Sequence, residues 1–510
     1  MSGMDRTVEA PTSLDIIPYV TAGTQRDYDP KEKETVKEFG ADLKYGITSQ
    51  LALDLTYNTD FAQIENDDEQ INLTRYSLFF PEKRDFFMEG AGIFEMGRMG
   101  LTTPSGRVLP PEFLLFYSRQ IGLSNGQPVP IIGGGRLTGR IGNYEVGVLN
   151  MVTDDANVTT PGGAPVEVNK TNYTVTRVKR DLFSRSSIGA MFLNKSISGD
   201  SHYNRAFGVD TRLALGGNAT MSGMIMKTWT PGLKGKDWAG YGSFRYNNSW
   251  TDFSFESRFF NENFNPEMGY VRRPNTWSQN VRIAPYYRPN GKFIREISNF
   301  NVMTLVTDTD RNLITRQFRV GARINGTRND LLEILYVPLL DHLSRDFRIR
   351  SLGVTVPQGD YQHNSWQLSL NSDPGRLLSW NIKSDLGDYY NGKMKTLSNE
   401  AAYNGFGRLI LSLKYEKGWF EFPEETLAGR KMDTSLFGSR VIWSFSPDLS
   451  LKVFTQYNNT ENRISNNILL RYIFMPGSDI FFVYNEGWDT FGPTTDIATR
   501  TAAVKIAYRW

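Results

Sequence analysis

Two groups of ionisable residues in the first quarter of the chain have types and spacing that could do chemistry. The first is Asp60, Glu65, Asp67, Asp68 and Glu69. Carboxylates crowded this closely are oxygen ligands of the kind Ca²⁺ takes. Glu65, Asp67 and Asp68 are the candidate Ca²⁺ ligands, but the run lacks the spacing of an EF-hand loop and the glycine at its sharp turn. A solvated or salt-bridged loop is the preferred reading, and no cofactor is expected.

The second group is Glu82, Lys83, Arg84 and Asp85 with Glu89. Paired carboxylates are what glycoside hydrolysis requires, and mixed charges also suit a ring in a channel. The interleaved Phe79, Phe80, Phe86, Phe87 and Phe94 favour a third reading. In it, ion pairs pin an internal segment whose apolar sides these rings cover. Asp60, Glu65, Asp67, Asp68, Arg75, Glu82, Lys83, Arg84, Asp85, Glu89 and Arg119 are therefore candidates for a lumenal segment, and none is assigned a catalytic role.

Other catalytic signatures are missing from the sequence. His202, His342 and His363 have no metal-type spacing, and there is no Gly-x-Ser-x-Gly elbow. The run Gly133-Gly134-Gly135-Arg136 precedes a strand-like stretch and opens no helix, so it is not a phosphate loop. Its glycines are expected to let a strand bend or pass close to an inner segment.

The elements that must position these residues are strands. The chain has 510 residues, yet only 39% are hydrophobic while 13% are aromatic. A soluble protein of this length needs more aliphatic core; a membrane barrel does not, because only alternate residues face lipid. Net charge is +2, which offers no basic field for nucleic acid, and there is no cysteine for disulfides or thiolate metal sites. No run approaches the length of a transmembrane helix.

Short alternating segments separated by turns fill the rest of the chain. Phe253, Phe255 and Phe259 alternate with Asp252, Ser254, Glu256 and Arg258; Leu378, Trp380, Ile382 and Leu386 alternate with Ser379, Asn381, Lys383 and Asp385. Charges on strands, among them Arg245, Arg282, Arg323, Arg440 and Arg471, are expected to face the lumen or lie near strand ends, since the lipid face penalises them. Residues 14–23 read as the first strand, 26–37 as a charged turn, 38–46 and 51–59 as a hairpin, and 401–406 as a short strand. Connections alternate short and long, the long ones spanning 154–170, 261–277, 340–362, 416–433 and 487–499. Short turns on one edge and long loops on the other are a barrel pattern.

The fold expected is an all-β, large transmembrane antiparallel β-barrel of about 24 strands, within roughly 20 to 26. Residues 1–510 form a single barrel domain, with 61–129 inserted as a lumenal plug-like segment. Both termini fall on the short-turn edge. The chain ends with Ala502, Val504, Ile506, Tyr508 and Trp510 on one face, and Tyr508 and Trp510 supply the terminal aromatic signal of bacterial outer-membrane barrels. The first residues lack the apolar core of a secretory signal, so an upstream part is expected.

Several motifs carry a resemblance: Asp60-Phe-Ala-Gln-Ile-Glu, Gln70-Ile-Asn-Leu-Thr-Arg, Phe79-Phe-Pro-Glu-Lys-Arg, Phe86-Phe-Met-Glu-Gly-Ala-Gly-Ile-Phe, Phe116-Tyr-Ser-Arg-Gln-Ile-Gly, Leu137-Thr-Gly-Arg and Pro476-Gly-Ser-Asp. In these the chain resembles the DUF5916 family of bacterial barrel-like proteins over essentially its whole length. That family commonly carries an upstream sugar-binding, family-9-like module, which is absent from this sequence. The resemblance implies the outer membrane of a Gram-negative bacterium and brings no mechanism. The expected function is a plugged or gated conduit for a polar cargo, glycan-related transport included. The alternatives are an outer-membrane hydrolase with a carboxylate site, and an anchor for the upstream module. Expected partners are outer-membrane lipid, the barrel-assembly machinery, periplasmic or surface proteins and glycans, with no nucleic acid.

Overall fold

The computed structural model describes residues 13–28, 31–59, 67–96, 111–160, 163–183, 185–405, 407–423, 431–491 and 495–510. Asp60, Glu65 and most of the first acidic run's leading side lie outside them. Twenty-four antiparallel strands run from Leu14–Tyr28 to Asp496–Ala507, each paired with its sequence neighbour in the ring. The last strand also pairs with the first, from Tyr19 opposite Ala507 to Asp27 opposite Thr499. The sheet therefore closes into a barrel with no open edge. Backbone groups that would be orphaned in lipid are satisfied between strands.

The alternation decides which face is outside. Leu55 and Tyr57 are exposed while Asp54 and Thr56 are buried. Trp366, Leu368 and Leu370 are exposed while His363 and Ser365 are buried. Phe39, Phe192, Phe207, Ile225, Ile334, Leu413, Trp443, Phe482 and Ile506 continue this exposed apolar surface around the ring. So large an apolar exterior is the surface a barrel presents to lipid. In the last strand Ile506 points outward and Lys505 is buried, with Tyr508 and Trp510 exposed beyond it.

Strand charges take the opposite face and pair across strands. Asp252, almost fully buried, meets both Arg245 (3.0 Å) and Arg282. Arg323 meets Glu333, and Arg471 meets Asp479 at 3.1 Å.

Short turns gather at one edge, including the two-residue links between Lys31–Thr48 and Leu51–Tyr57 and between Ile131–Ile141 and Tyr144–Thr153. Trp510 is hydrogen-bonded to Ile16 there, so both ends of the barrel share that edge. At the other edge the strands are longer than the sequence pattern indicates. Residues 26–37 are not a turn: strands Leu14–Tyr28 and Lys31–Thr48 stay in register to Tyr28 opposite Lys31. Strand Gly392–Gly405 begins nine residues before position 401, after a tight link from Tyr389. The loop expected at 416–433 shrinks because Leu409–Glu421 and Lys431–Ser444 pair out to Glu421 opposite Lys431. Crossing the hydrocarbon takes about 9–11 tilted residues. Beyond it both faces meet water, so the pattern fades while hydrogen bonding continues.

The glycine run has a concrete cause. The pairing register shifts between Ile131 and Gly133. The close approach is to neighbouring strands: a methyl at Gly134 would overlap the Asn150 carbonyl oxygen and sit 2.5 Å from Met151 Sδ. Gly134→Ala is expected to destabilise the barrel by about 1–3 kcal/mol through overpacking, read as a lower urea midpoint for the heat-modifiable electrophoretic mobility of the folded barrel.

Candidate functional site

The connection from Tyr57 to Ile131 joins two strands that pair directly with each other, Leu51 opposite Gly139 to Tyr57 opposite Gly133. Its described residues carry a helical turn at Asp85–Met88, 3-10 turns at Ala91–Phe94 and Ser118–Gln120, and two short strand pairs. With elements this short, side chains must hold the described residues together.

Glu82 and Arg84 supply the central knot. The Glu82 carboxylate accepts from Arg84 Nε (2.8 Å), Arg84 Nη2 (2.7 Å) and Ser118 Oγ (2.5 Å). Arg84 also donates to the Ile121 and Ser118 carbonyls at 2.6 and 2.7 Å, and its guanidinium lies 4.2 Å from the Phe87 ring centre. Two stretches more than thirty residues apart are thereby tied by one ion pair. Burial pushes the Glu82 pKa up, but the Arg84 bonds and charge with Ser118 outweigh it and hold the carboxyl below its ordinary value. A glycosidase general acid needs the opposite shift. Tyr117 Oη donates to the Phe80 carbonyl, and burial pushes that phenol up to about 12.

The remaining sequence candidates are dispersed around this knot. Asp67 pairs with Arg119 at 2.6 Å and with Lys83 at 3.7 Å. Asp68 pairs with Arg440 at 2.9 Å. The two carboxylates proposed for Ca²⁺ thus each meet a guanidinium; Glu65 lies outside the described residues, and among those described no three acidic or histidine groups converge. Asp85 is exposed in the first helical turn. Glu89 is exposed and meets Lys44, with Arg136 at 3.5 Å. Burial raises its pKa, and Lys44 and Arg136 more than reverse that.

The segment touches two arcs of the barrel in different ways. Phe87, Phe94, Met96, Phe113, Leu115 and Ile121 form one apolar core with inward-facing wall residues such as Met151, Val175, Leu193, Met226 and Phe260. Those wall residues come from strands spanning Tyr144–Thr153 to Thr251–Phe260. The fit is close: a methyl on Gly208 would lie 2.5 Å from Met96 Cε. On the strands from Leu331–Leu343 to Leu449–Asn458 the contacts are mainly polar, apart from Leu73, which packs against an apolar cluster that includes Leu343, Phe420 and Phe422. Arg75 reaches Asp341 (2.9 Å) and the His342 carbonyl (3.0 Å), and Tyr389 Oη donates to the Leu73 carbonyl. Gln456 bonds the Asp67 carbonyl (3.0 Å) and the Glu69 amide (2.7 Å), and Asn458 reaches Glu69 at 3.3 Å.

Sequence reasoning missed Asp341, Tyr389, Gln456 and Asn458 as contacts, and nothing local in the sequence marks them. It also missed the pair Arg136–Asp54, whose side chains are only 3% and 7% exposed and 2.6 Å apart. Arg136 additionally donates to the Phe86 and Glu89 carbonyls, so one wall arginine holds the end of the helical turn. Its position directly after a glycine run was the available signal. Removing one partner of such a buried pair costs about 3–5 kcal/mol.

The lowered pKa of Glu82 has a pH consequence. Its contribution is fully present above the ordinary carboxyl value of 4.5 and is lost as pH falls through the lower folded value. Limited proteolysis of residues 67–129 is expected to accelerate between pH 5 and pH 3 (about the window in which carboxylates protonate). Glu82→Gln, already weakened at pH 5, is expected to show a smaller acceleration over that window; an equal one removes Glu82 as a cause.

Comparison with solved structures returns outer-membrane barrels at low identity. The siderophore receptor PirA from Acinetobacter baumannii is 9% identical, with a TM-score of 0.45, over 98% of this chain and 81% of the receptor. The ferric enterobactin receptor PfeA from Pseudomonas aeruginosa is 10% identical, with a TM-score of 0.44, over 98% and 82%. The outer membrane protein OpdK from P. aeruginosa is 10% identical, with a TM-score of 0.33, over 98% and 99%. No curated protein matches the sequence. The profile of one family, described as a domain of unknown function, matches residues 10–466, and the chain belongs to that family, DUF5916.

Proposed function

We propose that the protein is an outer-membrane conduit for a polar cargo, and that residues 67–129 obstruct its lumen as a plug or gate. One observation carries this reading. The segment binds inward-facing residues on two separated arcs of a closed ring, through Met96 and Phe113 on one and through Asp67, Asp68 and Arg75 on the other. Bonds to both arcs from within are the contacts expected of a chain that lies across the opening. A ring of 24 strands is too wide for wall side chains to fill, and large barrels are either channels or plugged. The apolar exterior favours a lipid setting, and the charged inner wall favours an aqueous path.

The two arcs also suggest how the obstruction moves. The apolar core on Tyr144–Phe260 resists separation, whereas the contacts on Leu331–Asn458 are mainly hydrogen bonds and ion pairs that water can replace. Opening therefore begins on the polar side. Planar-bilayer recording tests the reading. The full chain is expected to be closed or to flicker at small conductance, and a variant lacking residues 62–110 to show large, long-lived steps. Two silent proteins, or two identical open pores, overturn it.

A further inference from the structure

At the long-connection edge, where the segment meets the barrel, three guanidinium groups surround one aromatic ring. The Cζ atoms of Arg75, Arg272 and Arg273 lie 5.4, 5.4 and 4.5 Å from the centre of Tyr76. Arg75 comes from the segment, while Arg272 and Arg273 come from the loop preceding strand Thr276–Tyr287. All four residues are half-buried, so solvent reaches them.

Three like charges within about one Debye length repel unless they are compensated. Two are. Arg75 pairs with Asp341 at 2.9 Å and donates through Nε to Tyr76 Oη at 3.0 Å. Arg272 pairs with Glu112 at 2.7 Å. Among the described residues Arg273 forms no ion pair; it lies against the ring face, and its Nε is buried without a hydrogen-bond partner. A cation–π contact orients a guanidinium but brings no negative charge. The junction therefore keeps one positive charge without an ion-pair partner among the described residues, on a planar guanidinium whose shape matches an oxyanion with two oxygens on one side.

We propose that this junction binds an oxyanion group, phosphate or sulfate, with Arg273 as the principal donor and Arg75 and Arg272 as flanking charges. Under the conduit reading it selects a cargo bearing such a group as that cargo reaches the mouth of the barrel. The site itself stands on local geometry and is testable without any conductance.

Inorganic phosphate and sulfate are titrated by calorimetry into the full chain in neutral detergent. Binding of at least one anion is expected, weakened about tenfold or more by Arg273→Gln, since a charge-assisted hydrogen bond is lost. Lys292→Gln, exposed at the opposite edge, is expected to bind as the unmodified chain does. Heat-modifiable mobility reports folding. Should Arg273→Gln fail that check, Arg273→Lys, which keeps the charge and loses the fork, carries the test in the same direction. A repeat in anionic phosphatidylglycerol vesicles and in phosphatidylcholine distinguishes the sources. Competition only in the anionic vesicles assigns the site to lipid headgroups and refutes the cargo role; equal binding in both supports a soluble solute. No binding of either anion by the unmodified chain, or unchanged affinity in a folded Arg273 variant, overturns the site whatever the conductance result.

Discussion

Closure of the ring is the constraint on which everything else depends. The nine residue pairs from Tyr19–Ala507 to Asp27–Thr499 join the two ends of the sheet. Without them, two strands would expose unpaired amides and carbonyls to hydrocarbon, at several kcal/mol for each group. Closure settles strand parity, and parity puts both termini at one edge and the connection of residues 58–130 at the other. It also commits every second side chain to an interior that must be made compatible with water. The arginines and carboxylates of that interior follow from the ring rather than from a particular chemistry.

Within the enclosed space the wall is not uniform. One arc supplies methionines, valines and leucines against which Phe94, Met96 and Phe113 pack. The other supplies Asp341, Arg440, Gln456 and Asn458. These interactions answer differently to conditions. Apolar burial is not screened by salt and weakens on cooling, whereas partly exposed ion pairs weaken as ionic strength rises. The buried Arg136–Asp54 pair belongs to neither class, because its low exposure shields it from salt and its loss would strand a charge.

The barrel was legible in the sequence because alternation is a two-residue property. Phe253, Phe255 and the charges between them announce a strand with water on one side. Strand ends were not legible. Residues 26–37 look like a turn because above the membrane both faces carry polar residues, yet their backbones continue to pair. The candidate site was legible in composition only. Glu82, Arg84 and the phenylalanines mark a charged and aromatic segment, but their contacts are set by tertiary structure. Asp67 meets Gln456 across 389 residues and Arg75 meets Asp341 across 266, and no spacing rule links such positions. The Tyr76 junction escaped for the same reason, since Arg272 and Arg273 stand in a loop far along the chain from Arg75 and Tyr76.

The long connection leaves and rejoins the barrel between adjacent strands. It departs after Tyr57 and returns at Ile131, on strands already hydrogen-bonded to each other from Leu51–Gly139 to Tyr57–Gly133. Topologically it is an overgrown hairpin loop, and the ring would have the same connectivity with a four-residue turn in its place. The ring and this connection are therefore separable in topology. One can serve as a fixed frame while the other is lengthened, shortened or exchanged like a cassette, with no strand changing neighbour.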